Sequence, residues 1–438
     1  MDSIRPEDLR WMRLDNVGKI YPAAKRKNWS NVFRLSAYLT EPVDPQVLQQ
    51  ALNVTVSRFP SIAVRLRRGM FWYYLEQVPK APQIQPDGVD PLTKMEFSDI
   101  RQCAFRVLYY DRRVSVEFFH ALTDGNGGII FLKTLLAEYL LQKHGVEIPC
   151  EQGVLNRQEP PKPEELEDSF LKYSGTVSHS RLESAAFHLT GTPELSGFHN
   201  LIVGTLDVGE VLKLAHQYGV TMTVLLASVM ISSIISIQNE QVLRRKLQKP
   251  VKILIPVNLR KLFGSSSLRN FVLNVSPGID PRLGDYRLDE IIKSVHHQMG
   301  QEITDKQMGS RIVANVKFEQ ALILKLMPLF IKNTAMKMVY DQIAESRTCI
   351  TMSNLGEVKV PDAMRPFVEK FHFILTVQAT TPNNCGIASY NGKLYISFIR
   401  NIKESRLERN FFTTLRQLGL HVHIESNQRS RDTSCHTV

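Results

Sequence analysis

Twenty consecutive uncharged residues, VTMTVLLASVMISSIISIQN from Val220 to Asn239, leave this chain two ways to fold. Either the segment crosses a bilayer, which takes about 20 apolar residues, or it is a helix enclosed by a globular core. Composition decides between them. The run carries four serines and two threonines and has no Trp or Tyr at either end to sit at a membrane interface. A buried core helix is therefore expected. A second run, IIFLKTLLAEYLLQKHG (Ile129 to Gly145), is apolar on nearly every side, with Lys133 and Glu138 breaking it, so it too needs a core around it. The chain has 438 residues, 43% of them hydrophobic and 22% charged, which suits two globular lobes of roughly 200 residues each.

The remaining elements follow from periodicity and punctuation. NVFRLSAYLT (Asn31 to Thr40) alternates as a strand, and a helix follows with Asp44 as N-cap, Pro45 at its first position and Pro60 at its stop. Two short strands flank Gly69. CAFRVLYYDRRVSVEFFH then reads as a hairpin turning near Asp111, Arg112 and Arg113. Proline and acidic residues in EQGVLNRQEPPKPEELEDSF signal a crossover. The second half offers the strands NLIVGTLDV and VKILIPVNLR, two helices up to Gln238, and the extended piece RNFVLNVSPGID. A helical region from Leu288 to Val339 is expected to break at Gly300 and Pro328. Strands around Cys349 and Phe371 precede a hairpin whose Asn391-Gly392 turn is a type I′ signal. A last helix leads to the polar stretch SNQRSRDTSCHTV, expected to be disordered. The expected organisation is a first lobe over 1–153, a crossover over 154–195, a second lobe over 196–425 and a tail over 426–438.

Five scattered cysteines without a CxxC pair argue for a reducing compartment and against a zinc ribbon or disulfide framework. The charged N-terminus MDSIRPEDLRWMRLD lacks the apolar core of a secretory signal, so a cytoplasmic protein is expected. A net charge of +11 suits nucleic acid, an anionic membrane surface or a polyanionic small molecule. No RRM-like, helix-turn-helix or zinc-finger pattern appears, which makes nucleic acid the weakest of the three and leaves peripheral membrane contact open. A monomer is expected.

VEFFHALTDGNGG (Val116 to Gly128) places a lone histidine, His120, where a strand gives way to a glycine-rich backbone. Acyl transfer to an alcohol or amine needs a base that titrates near neutrality, placed where two substrates can meet. His120 at a strand end meets both demands. Asp124 could orient it or brace the loop, and Gly125, Gly127 and Gly128 would let the backbone turn sharply and a substrate come close. A space-filling histidine in a glycine turn is the bland alternative. A metal pair at i, i+4 is a second, but no third ligand lies near with suitable spacing, so no metal is expected.

HALTDG (His120 to Gly125) resembles the HxxxDG motif of the chloramphenicol acetyltransferase-like superfamily, which includes peptide-synthetase condensation domains, plant BAHD acyltransferases and alcohol acetyltransferases. PVNLR (Pro256 to Arg260), RNFVLN (Arg269 to Asn274) and SNLGEVKVP (Ser353 to Pro361) resemble three further elements of that superfamily, in the right order. The resemblance spans about Asn31 to Gly419. It implies an α/β (α+β) fold of two related lobes, each a mixed sheet flanked by helices, with a channel between them. It also implies that His120 is the general base, that Asp124 pairs with Arg260 as structural support together with Gly125, and that a donor facing His120 stabilises the oxyanion. Asn270 and Ser353 are the candidates for that donor. Phe119 stands where many relatives carry a first histidine, and the DFGWG element of plant BAHD enzymes is absent. Bacterial and fungal alcohol acetyltransferases are the nearest in look. The implied activity is O-acyl transfer from acyl-coenzyme A to an alcohol, with no permanently bound cofactor. The alternatives are an acyl carrier protein as donor, in a condensation-type reaction, or an inactive binding protein of the same fold.

Overall fold

The computed structural model describes residues 10–24, 31–175, 185–194, 198–320, 327–339, 347–378 and 381–427. In chain order its strands begin with β1 (Trp11–Arg13), β2 (Val32–Leu39), β3 (Val64–Arg68), β4 (Tyr73–Gln77), β5 (Gln85–Pro86), β6 (Phe105–Tyr110) and β7 (Arg113–Phe119). They continue with β8 (Asn200–Asp207), β9 (Val251–Asn258), β10 (Val272–Val275), β11 (Gly278–Ile279), β12 (Ile350–Glu357), β13 (Val368–Ile374), β14 (Asn383–Tyr390), β15 (Lys393–Arg400) and β16 (His423–Ser426). These form a small sheet β1-β4-β3, a first-lobe sheet β13-β2-β7-β6-β5, and a second-lobe sheet β10-β9-β12-β14-β15-β8-β16 with β11 paired to β9.

The first sheet is built from alternation. Phe33, Leu35, Ala37 and Leu39 of β2, with Val114, Val116 and Phe118 of β7, are buried apolar positions of one continuous core. That core also takes in the helices Pro45–Arg58 and Gly125–His144, so the apolar run from Ile129 lies inside its lobe. Asp44 caps the first of these helices through the N–H groups of Gln46 and Val47. The second ends at Gly145 in the left-handed region, at φ 68°, where a Cβ would be strained. The other face of the sheet is polar and paired: Arg34 bonds both Asp87 and Glu117, and Glu117 also takes Arg106.

The second sheet packs against its own apolar helix, Met222–Gln241, long and apolar enough to cross a membrane by composition but largely buried here. Its buried serines return their hydroxyls to the helix, Ser228 to Val224 O at 2.8 Å and Ser233 to Val229 O at 2.7 Å. The Asn391–Gly392 turn has positive φ at both residues, 47° and 73°, as a type I′ hairpin requires.

Three expectations need correction. Gly300 does not interrupt its helix, which runs Leu288–Glu302; the break comes at Thr304, whose hydroxyl accepts from Gln307 N and caps the next helix, Asp305–Gln320. β13, inside the span assigned to the second lobe, crosses over and pairs antiparallel with β2 of the first, because Phe371 and Phe373 belong to the first core. The polar tail starts later than Ser426: that residue lies in β16, and the Asn427 side chain bonds Val89 O, His199 O and Leu201 N. The rest of the tail, 428–438, lies outside the described residues. The crossover is itself anchored in both lobes. Glu165 takes a bidentate pair from Arg58, at 2.6 and 2.8 Å, while its carbonyl accepts from Leu268 N of the second lobe.

Candidate active site

β7 carries the chain from the first core to His120, with Phe119 still fully packed and His120 half-buried. The main chain is fixed there by His120 N donating to Asn31 O at 2.7 Å. Tyr21, from the short helix Ile20–Ala24, stacks on the ring with centroids 4.6 Å apart, and Phe33 meets it edge-on at 5.0 Å.

Asn270, from the second lobe, lies against the same ring with its Oδ1 3.2 Å from His120 Nδ1. Asp15 settles which way the amide faces. Its Oδ2 accepts from Asn270 Nδ2 at 3.1 Å and from Asn270 N at 3.2 Å, and its Oδ1 from Gly18 N at 2.6 Å. The backbone N–H groups of Asn270 and Gly18 can only donate, one to each oxygen, so the carboxyl is an acceptor and the Asn270 side-chain nitrogen belongs on its side. The amide oxygen then faces the imidazole and can only accept. His120 Nδ1 therefore carries the proton, and Nε2 presents its lone pair, with no protein hydrogen bond to it among the described residues. Burial pulls the His120 pKa below its ordinary 6.5, opposed by its own backbone carbonyl, by the Asp124 charge, by Asn270 and by Asp15. Burial thus favours the neutral ring near pH 7. Burial likewise pushes the Asp15 carboxyl up, with the Arg269 guanidinium and its N–H donors pulling the other way.

Asp124 does not touch the ring. Its Oδ1 accepts from Asn126 N and Gly127 N, capping the helix Gly125–His144. Its Oδ2 accepts from Arg260 Nη1 at 2.8 Å and Phe271 N at 3.0 Å. Arg260 spends its other donors on the carbonyls of Ser267 and Arg269 and on Asn258 Oδ1. One buried ion pair thus ties the turn behind His120 to the second-lobe segment that carries Asn270.

The glycines serve close approach rather than a sharp turn, since none of Gly125, Gly127 and Gly128 has positive φ. A Cβ on Gly127 would lie 2.2 Å from Leu268 O and 2.1 Å from Thr123 Oγ1, and one on Gly125 would lie 2.6 Å from Leu355 Cδ2. Gly127→Ala adds helix propensity of about 1 kcal/mol but drives a methyl into an immovable carbonyl, an overpacking cost of about 1–3 kcal/mol. The clash outweighs the propensity, so Gly127→Ala should lower the thermal midpoint. Gly300→Ala, in open space inside a helix, should raise it. A calorimetric scan of both variants checks the contrast.

The proposed oxyanion donors fare differently from one another. Asn270 turns its carbonyl oxygen, not its amide nitrogen, toward His120, which removes it from that role. Ser353 sits half-buried on β12 beside Gly386 of β14, and no hydrogen bond joins it to His120. Its neighbour Leu355 is the side chain that closes on Gly125. Sequence reasoning missed Asp15 and Tyr21. Asp15 meets Asn270 across 255 positions, and nothing in RLDNVGK beyond an Asx-like turn at Gly18 marks it. Among the described residues no group of three or more His, Cys, Asp and Glu could hold a metal ion.

No family model and no curated protein matches the chain in sequence. Solved structures do match in shape. TRI101 of Fusarium sporotrichioides, solved with coenzyme A and T-2, superposes with a TM-score of 0.59 at 11% identity, over 95% of this chain and all of that one. The likeness is one of fold: a mixed α/β architecture shared along nearly the whole of both chains. The wax ester synthase/diacylglycerol acyltransferase of Marinobacter aquaeolei follows at TM-score 0.54 and 12% identity, over 93% of this chain and 100% of that one. An epimerization domain of tyrocidine synthetase B shares the fold at TM-score 0.57 and 12% identity, over 93% and 95%. Those proteins span more than one reaction on one architecture, so the chemistry must be argued from the site.

Proposed function

We propose that this chain is an acyltransferase that moves an acyl group from acyl-coenzyme A to an alcohol, with His120 as general base. The single observation that carries the reading is the state of the imidazole. Its Nδ1 faces the Asn270 oxygen at 3.2 Å, which favours the proton there, burial favours the neutral form, and Nε2 has no hydrogen bond among the described residues. Tyr21 and Phe33 hold the ring plane, and the Asp124–Arg260 pair holds the backbone behind it.

Nε2 removes the proton of the acceptor hydroxyl as its oxygen attacks the thioester carbonyl. The tetrahedral intermediate collapses by breaking the carbon–sulfur bond, and the departing thiolate takes the proton back from the imidazolium. No net proton is gained or lost. The transient imidazolium is favoured by the nearby charges of Asp15 and Asp124, and Asn270 Oδ1 keeps its hydrogen bond throughout. The solved relative with coenzyme A supports that donor for this site, and the +11 charge suits a polyanionic one.

The pH dependence follows from the lowered pKa. As pH falls, kcat/KM should decline with a half-point below 6.5, because the base is lost only when the imidazole protonates. A half-point above pH 7 would contradict a buried neutral base. Stability shares the sign. A histidine held neutral in the fold but free to charge when unfolded contributes fully above pH 6.5 and loses that contribution as pH falls toward its folded value. His372, on β13 with neither ring nitrogen bonded, is pushed down to about 3 by burial and by Lys370 and Arg113, so its window runs from 6.5 to about 3. Thermal midpoints should therefore drop steadily through that range. Thiol release from acetyl-coenzyme A and longer acyl-coenzyme A esters, across a panel of alcohols, tests the proposed activity. Desulfo-coenzyme A should compete with the acyl donor, and consumption of only an acylated carrier protein would replace the donor.

A further inference from the structure

The helix Leu329–Val339 begins with its polarity reversed. Lys332 is fully buried, while Phe330 and Ile331 are 64% and 45% exposed. Lys332 Nζ donates to Phe71 O at 2.8 Å and sits 3.3 Å from the centroid of the Trp72 ring, which Lys19 also approaches at 5.5 Å. Leu329 N donates to Met70 O at 3.1 Å. These contacts dock the β3–β4 turn on the helix and bring its Met70 and Phe71, 76% and 37% exposed, beside Phe330 and Ile331. Soluble proteins rarely gather large apolar side chains this way without a partner.

The sheet behind the turn supplies charge. Arg13, Tyr74 and Arg67 lie in one cross-strand row, and Trp11, Glu76 and Arg65 in the next row of the same face, while Leu66 and Leu75 fill the other. With the exposed Arg68 at the turn, the three strands hold four arginines against one acid, Glu76, whose carboxylate takes both Arg65 and Arg67, so that the surplus charge is carried above all by Arg13 and Arg68. Arginine and tryptophan around protruding aliphatic and aromatic groups are the chemistry of a headgroup interface. The surface also borders the candidate site: the helix packs on Ile20–Ala24, whose Tyr21 covers His120.

We propose that this surface docks the protein on an anionic lipid bilayer, with Met70, Phe71, Phe330 and Ile331 seated among the acyl chains and the arginines on the headgroups. Side chains standing out from a turn and a helix end suit a fluid phase that closes around them, whereas a protein partner would need a matching hollow. The proposal does not depend on the acyl-transfer reading, and its test reads binding rather than turnover.

The test is co-sedimentation of the full chain with vesicles of phosphatidylcholine, alone or mixed with phosphatidylglycerol. Binding is expected to the mixed vesicles, to weaken with salt, and to be slight with phosphatidylcholine alone. Arg13→Gln and Arg68→Gln should each weaken it about fivefold, from about 1 kcal/mol per basic residue near an anionic surface. Met70→Asp combined with Phe330→Asp should weaken it by about tenfold or more, since apolar burial supplies the rest. All four side chains are exposed, so an unchanged thermal midpoint certifies the variants. The proposal is overturned if the parent ignores phosphatidylglycerol, or if the double aspartate variant binds mixed vesicles as the parent does. Capture of a soluble acidic carrier protein through Met70 and Phe330, with vesicles left unbound, would assign the surface to a protein instead and overturn it as well.

Discussion

Asp124→Ala is expected to lose about 3–5 kcal/mol of stability, the usual cost of stranding one partner of a buried ion pair. Asp124 and Arg260 are both buried, and each is bonded beyond the pair itself. Removing the carboxylate frees the N–H groups of Asn126, Gly127 and Phe271 and deletes a helix cap, worth about 1 kcal/mol alone. Arg260→Ala leaves a carboxylate still holding those three N–H donors, so its loss should be the smaller of the two. Asp124→Asn keeps an oxygen for the cap while discarding the charge and should fall between parent and Asp124→Ala. Denaturant melts of the single variants and of the double Asp124→Ala/Arg260→Ala variant check this. The double variant should cost less than the sum of the singles, because the second substitution removes the group that the first left unpaired. Additive losses would show that the pair is not coupled.

His120→Ala is expected to keep its fold and lose about 10²–10⁴ in acyl-transfer rate, the range for a missing general base. The half-buried ring takes one side-chain hydrogen bond, from its Nδ1 to Asn270, so the stability cost should stay well below that of Asp124→Ala. KM for the acyl donor should change little, since the base acts on the acceptor's proton. Loss of donor binding with an intact rate at saturation would make His120 a binding residue instead.

Much of the first lobe was legible in the sequence because its signals are local. Alternation in β2 and β7 and the Asp44–Pro45 helix start each depend on a few neighbouring residues, as does the Asn391–Gly392 turn in the second lobe. His120 and Asp124 stood out for the same reason, as a strand end running into a glycine-rich stretch, although the helix cap that Asp124 makes did not. What pairs across the chain was not legible from periodicity. β13 joins the first sheet through partners hundreds of positions away, and Asp15 meets Asn270 across 255 positions of sequence. The glycines show the limit most clearly. Their presence suggested a sharp turn and the close approach of a substrate, yet the groups that come close are Leu268 and Leu355, which no local pattern encodes. Gly300 failed in the opposite direction: a residue that often ends helices sits quietly inside one, and a capping threonine downstream sets the boundary.

The most direct measurement follows both products at once, free thiol and ester, after mixing purified protein with acyl-coenzyme A and a panel of alcohols. The parent should release thiol and form ester in equal amounts, and His120→Ala, folded to the same midpoint, should form both at least about a hundredfold more slowly. Equal rates for the two proteins, or thiol release with no ester formed, would contradict acyl transfer driven by the His120 imidazole.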